Sequence, residues 1–124
     1  MKLIAVLMAL VCIATGAELA LAFDPWSNQD YILHGVFTAV TAVDMMQTLK
    51  IAREPDDYYE RNPILGRHPS EGEVVGYFVS AWVAKTLVVH VLPAEWRPYA
   101  QAVAISVSLG CVVNNFSIGL GFGF

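Results

Sequence analysis

The sequence predicts an all-α fold: a small integral membrane bundle of three transmembrane helices, preceded by an N-terminal signal peptide or a fourth helix. Three observations carry this. Of 124 residues, 56% are hydrophobic and only 15% charged, against about 25% charged in an ordinary soluble domain. Mean hydropathy is +0.55. The apolar residues form stretches long enough to cross a bilayer, separated by proline, glycine and charge. The length allows one compact unit. Net charge is -4, with no basic run, so nucleic acid is not expected as a partner.

Residues 1–22 read as an export segment. Lys2 supplies a minimal positive start, LIAVLMALVCIA an apolar stretch, and Ala20-Leu21-Ala22 a small-x-small cleavage pattern. The same residues are also long enough for an uncleaved anchor. Val11 before Cys12 is too large for a lipoprotein signal. Residues 23–124 form the single transmembrane helical domain.

Its first helix is expected over about 28–52. Ser27 and Asp30 resemble a capping box, and Pro55 ends the helix. Residues 53–70 form the one long polar loop. Pro55 followed by Asp56 and Asp57 predicts a short helix there, and Asn62-Pro63 with Gly66 mark a turn. Ser70 and Glu73 form a capping box for a second helix over 71–92. Pro93 and Pro98 bracket a tight turn, and a third helix is expected over 99–118. The Gly-Phe tail carries no structural signal.

Lys50, Arg53, Arg61 and Arg67 cluster at the 53–70 loop, whereas the 93–98 turn holds only Arg97. The positive-inside rule therefore places the loop in the cytoplasm of a multi-pass inner-membrane protein. Trp26, Trp96 and Tyr99 then lie at one interface and Tyr58, Tyr59 and Tyr77 at the other, as an aromatic belt requires.

The first helix is unusually polar for its solvent. At ~100° per residue, Asp30, His34, Thr38, Thr41, Asp44 and Thr48 fall within an arc of about 120°. Lipid cannot satisfy such a stripe, so it should face the bundle interior. At ~1.5 Å per residue, Asp44 lies about 10 Å from the loop end of its helix, level with Asn114 and Asn115. Asp44, Gln47, Thr48, Asn114 and Asn115 are thus expected in one layer, with Glu60 and Asn62 just beneath.

Asp30 and His34 read as near-interface residues. Lys85 lies near the His34 level and is expected to snorkel toward the turn rather than pair with Asp44. The serines and threonines are expected to bond back within their helices. The paired asparagines are expected to join helices, the Glu60–Pro63 turn to fold its own loop, His90 to sit at an interface and His68 in solvent.

Cys12 and Cys111 read as small buried apolar residues. No metal-ligand spacing, phosphate loop or catalytic signature occurs, and no cofactor is expected.

Asp44-Met-Met-Gln47-Thr48, followed by Glu60-Arg61-Asn62-Pro63-Ile64-Leu65-Gly66 and His68-Pro69-Ser70, resembles a group of small membrane proteins from bacterial genomes and their phages. Asn114-Asn115-Phe116-Ser117-Ile118 extends the likeness. It covers residues from about 30 to the C-terminus and implies a membrane protein, without bringing an activity with it.

Three functions fit the residues. The first is a structural or interaction subunit, with the bilayer and a membrane-protein partner or a second copy around it. The second is a proton or cation conduit or transporter accessory using Asp44. The third is a membrane-embedded hydrolase or transferase using Asp44, or Glu60 with Asn62. A polar pocket at the Asp44 level, as opposed to a closed layer, would favour the third over the first.

Overall fold

A computed structural model describes residues 23–121. They fold as helices α1 (Asn28–Arg53), α2 (Glu71–Val91) and α3 (Arg97–Ser117), each long and apolar enough to cross a membrane. No strand occurs among the described residues. The leader-or-anchor segment, with Cys12, lies outside them, as does the end of the Gly-Phe tail.

Local chemistry sets the helix ends. Ser27 and Asp30 form a reciprocal capping box on α1, and Ser70 and Glu73 do the same on α2. Lys50 and Arg53 oppose the negative end of the α1 dipole. The third helix starts two residues earlier than expected, at Arg97. Pro98 sits in its first turn, where a missing N–H costs nothing. Its far end closes on Gly119 at φ 92°, the left-handed geometry that glycine adopts freely. The Leu120 N–H then returns to the Asn115 carbonyl at 3.1 Å, and Leu120 is buried. The start of the tail is thus ordered by a helix stop that the sequence reading passed over.

The short helix expected after Pro55 does not form. A single turn closes on the Glu54 carbonyl, and the chain then runs extended so that the Glu60 N–H reaches the Arg67 carbonyl at 2.8 Å. That closure takes up the residues a helix would need.

The interior is inverted relative to a soluble bundle. Its buried apolar side chains, among them Phe37, Ile51, Phe78 and Val112, are matched by buried Asp30, Thr41, Asp44, Gln47, Thr48, Arg97, Gln101 and Asn115. Large apolar residues such as Ile32, Val79, Leu87, Val103 and Val113 point outward. This is the arrangement that lipid as solvent favours. Helix α1 is the central element, packed on both neighbours, while α2 and α3 touch each other least. Their polar links, Lys85 to Gln101 and Arg97 to the Val89 and His90 carbonyls, lie at the end nearest the 93–96 turn. The two ends of the bundle are called the turn end and the loop end below.

Candidate functional site

At the loop end, the α-helical rise brings Asp44, Gln47 and Thr48 level with Asn115. The Asn115 amide Nδ2 donates to Asp44 Oδ1 and to Gln47 Oε1, both at 3.1 Å, which uses both of its hydrogens. Gln47 Nε2 donates to the Gly121 carbonyl. Thr48 Oγ1 bonds back to the Asp44 carbonyl at 2.9 Å. Asp44 is 8% exposed and Gln47 fully buried. Gly121 is the one member of this layer without a sequence signal for its role.

Asn114 does not join that layer. One residue turns the helix by about 100°, so Asn114 is half-buried and lines a cavity, with no side-chain hydrogen bond among the described residues. Glu60 and Asn62 build their own loop. Glu60 Oε1 accepts from the Arg61 and Asn62 N–H groups, each at 2.9 Å. Asn62 Oδ1 accepts from the Ile64 N–H, and the Gly66 N–H closes on the Asn62 carbonyl. Gly66 takes φ 79° there, a geometry that glycine supplies without strain.

The splay of α2 from α3 leaves a cavity of about 570 Å³ at this end. Phe37, Phe78 and Val107 give it an apolar wall; Asp44, Thr48, Glu60, Arg61, Asn62, Asn114 and Asn115 give it a polar one. A smaller cavity of about 240 Å³ shares Glu60, Arg61, Asn114 and Asn115 with it.

Thr41 also lines the larger cavity; it is 8% exposed and its Oγ1 is buried without a hydrogen-bond partner. Thr38, Thr48, Thr86 and Ser106 bond back to their own helices as expected; Thr41, Ser80 and Ser108 do not, and of these three Thr41 is the buried one. An unsatisfied buried polar group costs about 1–3 kcal/mol. Cys111, expected to be buried, is instead exposed at the cavity edge, because the splay leaves that face of α3 uncovered.

The turn end differs from the sequence reading in two respects. Lys85 does not snorkel outward. Its ammonium donates to Gln101 Oε1 at 2.9 Å, contacts His34 Nδ1 at 3.1 Å, and lies 4.3 Å from the centre of the Phe37 ring. A buried acceptor on α3 holds it inward. Asp30, read as a near-interface residue, is buried, and so is Arg97, counted from the sequence only as the cation of the turn. Arg97 is 0% exposed. Its guanidinium reaches five acceptors: the carbonyls of Val89, Pro25, Asp24 and His90, and Asp30 Oδ2 at 3.5 Å. Five is the full donor complement of arginine. Gln101, also 0% exposed, passes its other end to the Asp30 carbonyl. The sequence offered one clue to Arg97: it is the one cation near the turn, fixed beside Pro98.

His34 is half-buried, its ring 5.3 Å from both Trp26 and Trp82. His90 is exposed against Phe23, and His68 is exposed in the loop. No histidine lines the cavity, so no imidazole stands beside Asp44 as a base. Among the described residues, no three His, Cys, Asp or Glu side chains gather as a metal-ligand set. Phe37 separates the two polar ends, with one face of its surroundings in the cavity and its ring under Lys85. Comparison with protein-family models, curated proteins and solved structures finds no match.

Proposed function

We propose that this is a multi-pass protein of the bacterial inner membrane, with loop 53–70 in the cytoplasm, and that it works as an interaction subunit through its loop-end cavity. The observation that carries this reading is the cavity itself. It holds a buried hydroxyl at Thr41 with no partner, an unengaged Asn114 amide and the Asp44 carboxyl, all on one open space. Buried polar groups are normally satisfied; a partner that supplies the missing bonds accounts for the arrangement. The loop's cluster of Lys and Arg supports the orientation, and the motif resemblance supports the bacterial setting.

A polar cavity, where a closed layer was the alternative, also favours a hydrolase or transferase reading. That reading has carboxylates at Asp44 and Glu60 and a thiol at Cys111 on the cavity wall, but no side chain there is hydrogen-bonded as a nucleophile to a base among the described residues. Conduction has less support. Buried Phe37 interrupts the polar stripe, and the cations Lys85 and Arg97 occupy the turn end, where they repel a passing cation.

The test is purification of the tagged full-length chain in mild detergent, beside Asp44→Asn. The expected result is a companion molecule, protein or lipid, held by the wild type and lost from the variant at equal yield. Identical companions in both would overturn the proposal, as would gradient-driven flux in liposomes by the purified chain.

A further inference from the structure

The cavity has a charge order that narrows what it can hold. It has two carboxylates: Asp44 lies in the bundle interior, 8% exposed, and Glu60 lies at the loop, its Oε1 taken up by the Arg61 and Asn62 N–H groups. A cation, Arg61, lies at the rim; it is exposed, and its guanidinium makes no ion pair or hydrogen bond among the described residues. Of the other cations of the loop region, Arg53 pairs with Glu71 and Arg67 stacks on Tyr59, while Lys50 lies outside the cavity lining. Asp44 uses Oδ1 for Asn115, and the Thr48 hydroxyl, bonded to the Asp44 carbonyl, lies against the same carboxyl; Oδ2 faces no other donor among the described residues. Thr41 lines the same wall, with its Oγ1 buried and unpartnered among the described residues.

The mouth of the cavity matters as much as its floor. Val107, Gly110 and Cys111 line it and are also exposed on α3. The space therefore opens onto the apolar outer surface of the bundle as well as beneath the loop at Arg61. A soluble ligand needs only the second opening. An amphiphile uses both. The volume of about 570 Å³ falls within the usual range of small-molecule sites, about 300–1,000 Å³.

We infer that the cavity holds a zwitterionic phospholipid with a primary ammonium headgroup, its ammonium at Asp44, its phosphate at Arg61 and Asn114, and its glycerol end leaving past Cys111, one helical turn from Asn114. The inference rests on the interaction reading above and names the partner class of that site. The ammonium supplies N–H donors to the Asp44 carboxyl, and the phosphate meets a guanidinium suited to it. A trimethylated headgroup has the same charge but no N–H to donate. An anionic glycerol headgroup has no cation to set against Asp44.

The test is native mass spectrometry of the delipidated full-length protein in mild detergent. Phosphatidylethanolamine, phosphatidylcholine and phosphatidylglycerol are added at equal concentration. The ethanolamine lipid should be retained about tenfold over the other two, the ratio that one lost charge-assisted bond produces. Asp44→Asn, which keeps the Oδ1 acceptor for Asn115, should remove most of that preference. Arg61→Gln, at an exposed position that does not bear on folding, should lower retention of all three phospholipids.

Equal retention of the three lipids would overturn the inference, as would full ethanolamine-lipid preference in Asp44→Asn. Displacement of the lipid by free phosphoethanolamine at comparable concentration would also overturn it, because the ligand would then be soluble. If no lipid is preferred yet Asp44→Asn still loses a protein companion, this inference fails and the interaction reading stands. If Asp44→Asn changes no companion of either kind, both fail.

Discussion

The two ends of the bundle bury charge in opposite ways. At the turn end Arg97 meets as many acceptors as it has donors, and Asp30, Gln101 and Lys85 are tied into the same network. One polar atom there is left over, the indole Nε1 of Trp26. At the loop end Asp44 and Asn115 are bonded, but the side chains of Thr41, Asn114 and Arg61, which line the cavity, make no hydrogen bond among the described residues. A saturated network does its work within the fold: it fixes the chain before α1 to the α2–α3 turn. The loop-end groups line a cavity, and the proposed ligand accounts for them. What separates the two ends is the cavity, since each has one buried polar atom without a partner among the described residues.

Substitutions should split along the same line. Arg97→Met should have the largest effect. Removing one partner of a buried, bonded charge costs about 3–5 kcal/mol, so the protein should fail to accumulate in membranes or melt far below the wild type. Arg97→Lys should not rescue it, since an ammonium has three donors where the site presents five acceptors.

Gln101→Leu comes next. It strips Lys85 of an acceptor inside the bundle and should cost about 1–3 kcal/mol, read as a lowered thermal midpoint in mild detergent. Asn115→Ala should cost about 0.6 kcal/mol per lost bond, the average measured for hydrogen bonds between membrane helices. The smallest effect, and of opposite sign, belongs to Thr41→Val. It removes an unsatisfied buried hydroxyl, so the emptied protein should melt at or above the wild-type temperature. A turn-end variant that left stability intact, or a Thr41→Val that lost it, would break the comparison.

The sequence exposed the loop-end layer well because helix geometry is regular. A fixed rise per residue puts Asp44, Gln47 and Asn115 level without knowledge of any tertiary contact. Capping boxes at Ser27 and Ser70 were legible for the same reason, since their partners lie three residues away. Lys85 and Arg97 were not legible. Where a long cationic side chain goes depends on acceptors in other elements, and for Arg97 these are mainly backbone carbonyls, which no sequence pattern marks. The cavity was equally hidden: it arises from how far α2 splays from α3, a property of packing. The false short helix after Pro55 has a related origin, because local propensity there yields to the Glu60–Arg67 closure.

Asp44 stands between the two classes, bonded on one oxygen and open on the other, and it is the residue on which the account turns. The direct test is the thermal midpoint of the delipidated full-length protein and of Asp44→Asn, each measured with and without added phosphatidylethanolamine. A ligand that binds only the folded state raises the midpoint. The two emptied proteins should melt together, and the lipid should raise the wild type but not the variant. An equal rise in both, or an emptied Asp44→Asn that melts far below the wild type, would contradict the assignment of the loop end to binding.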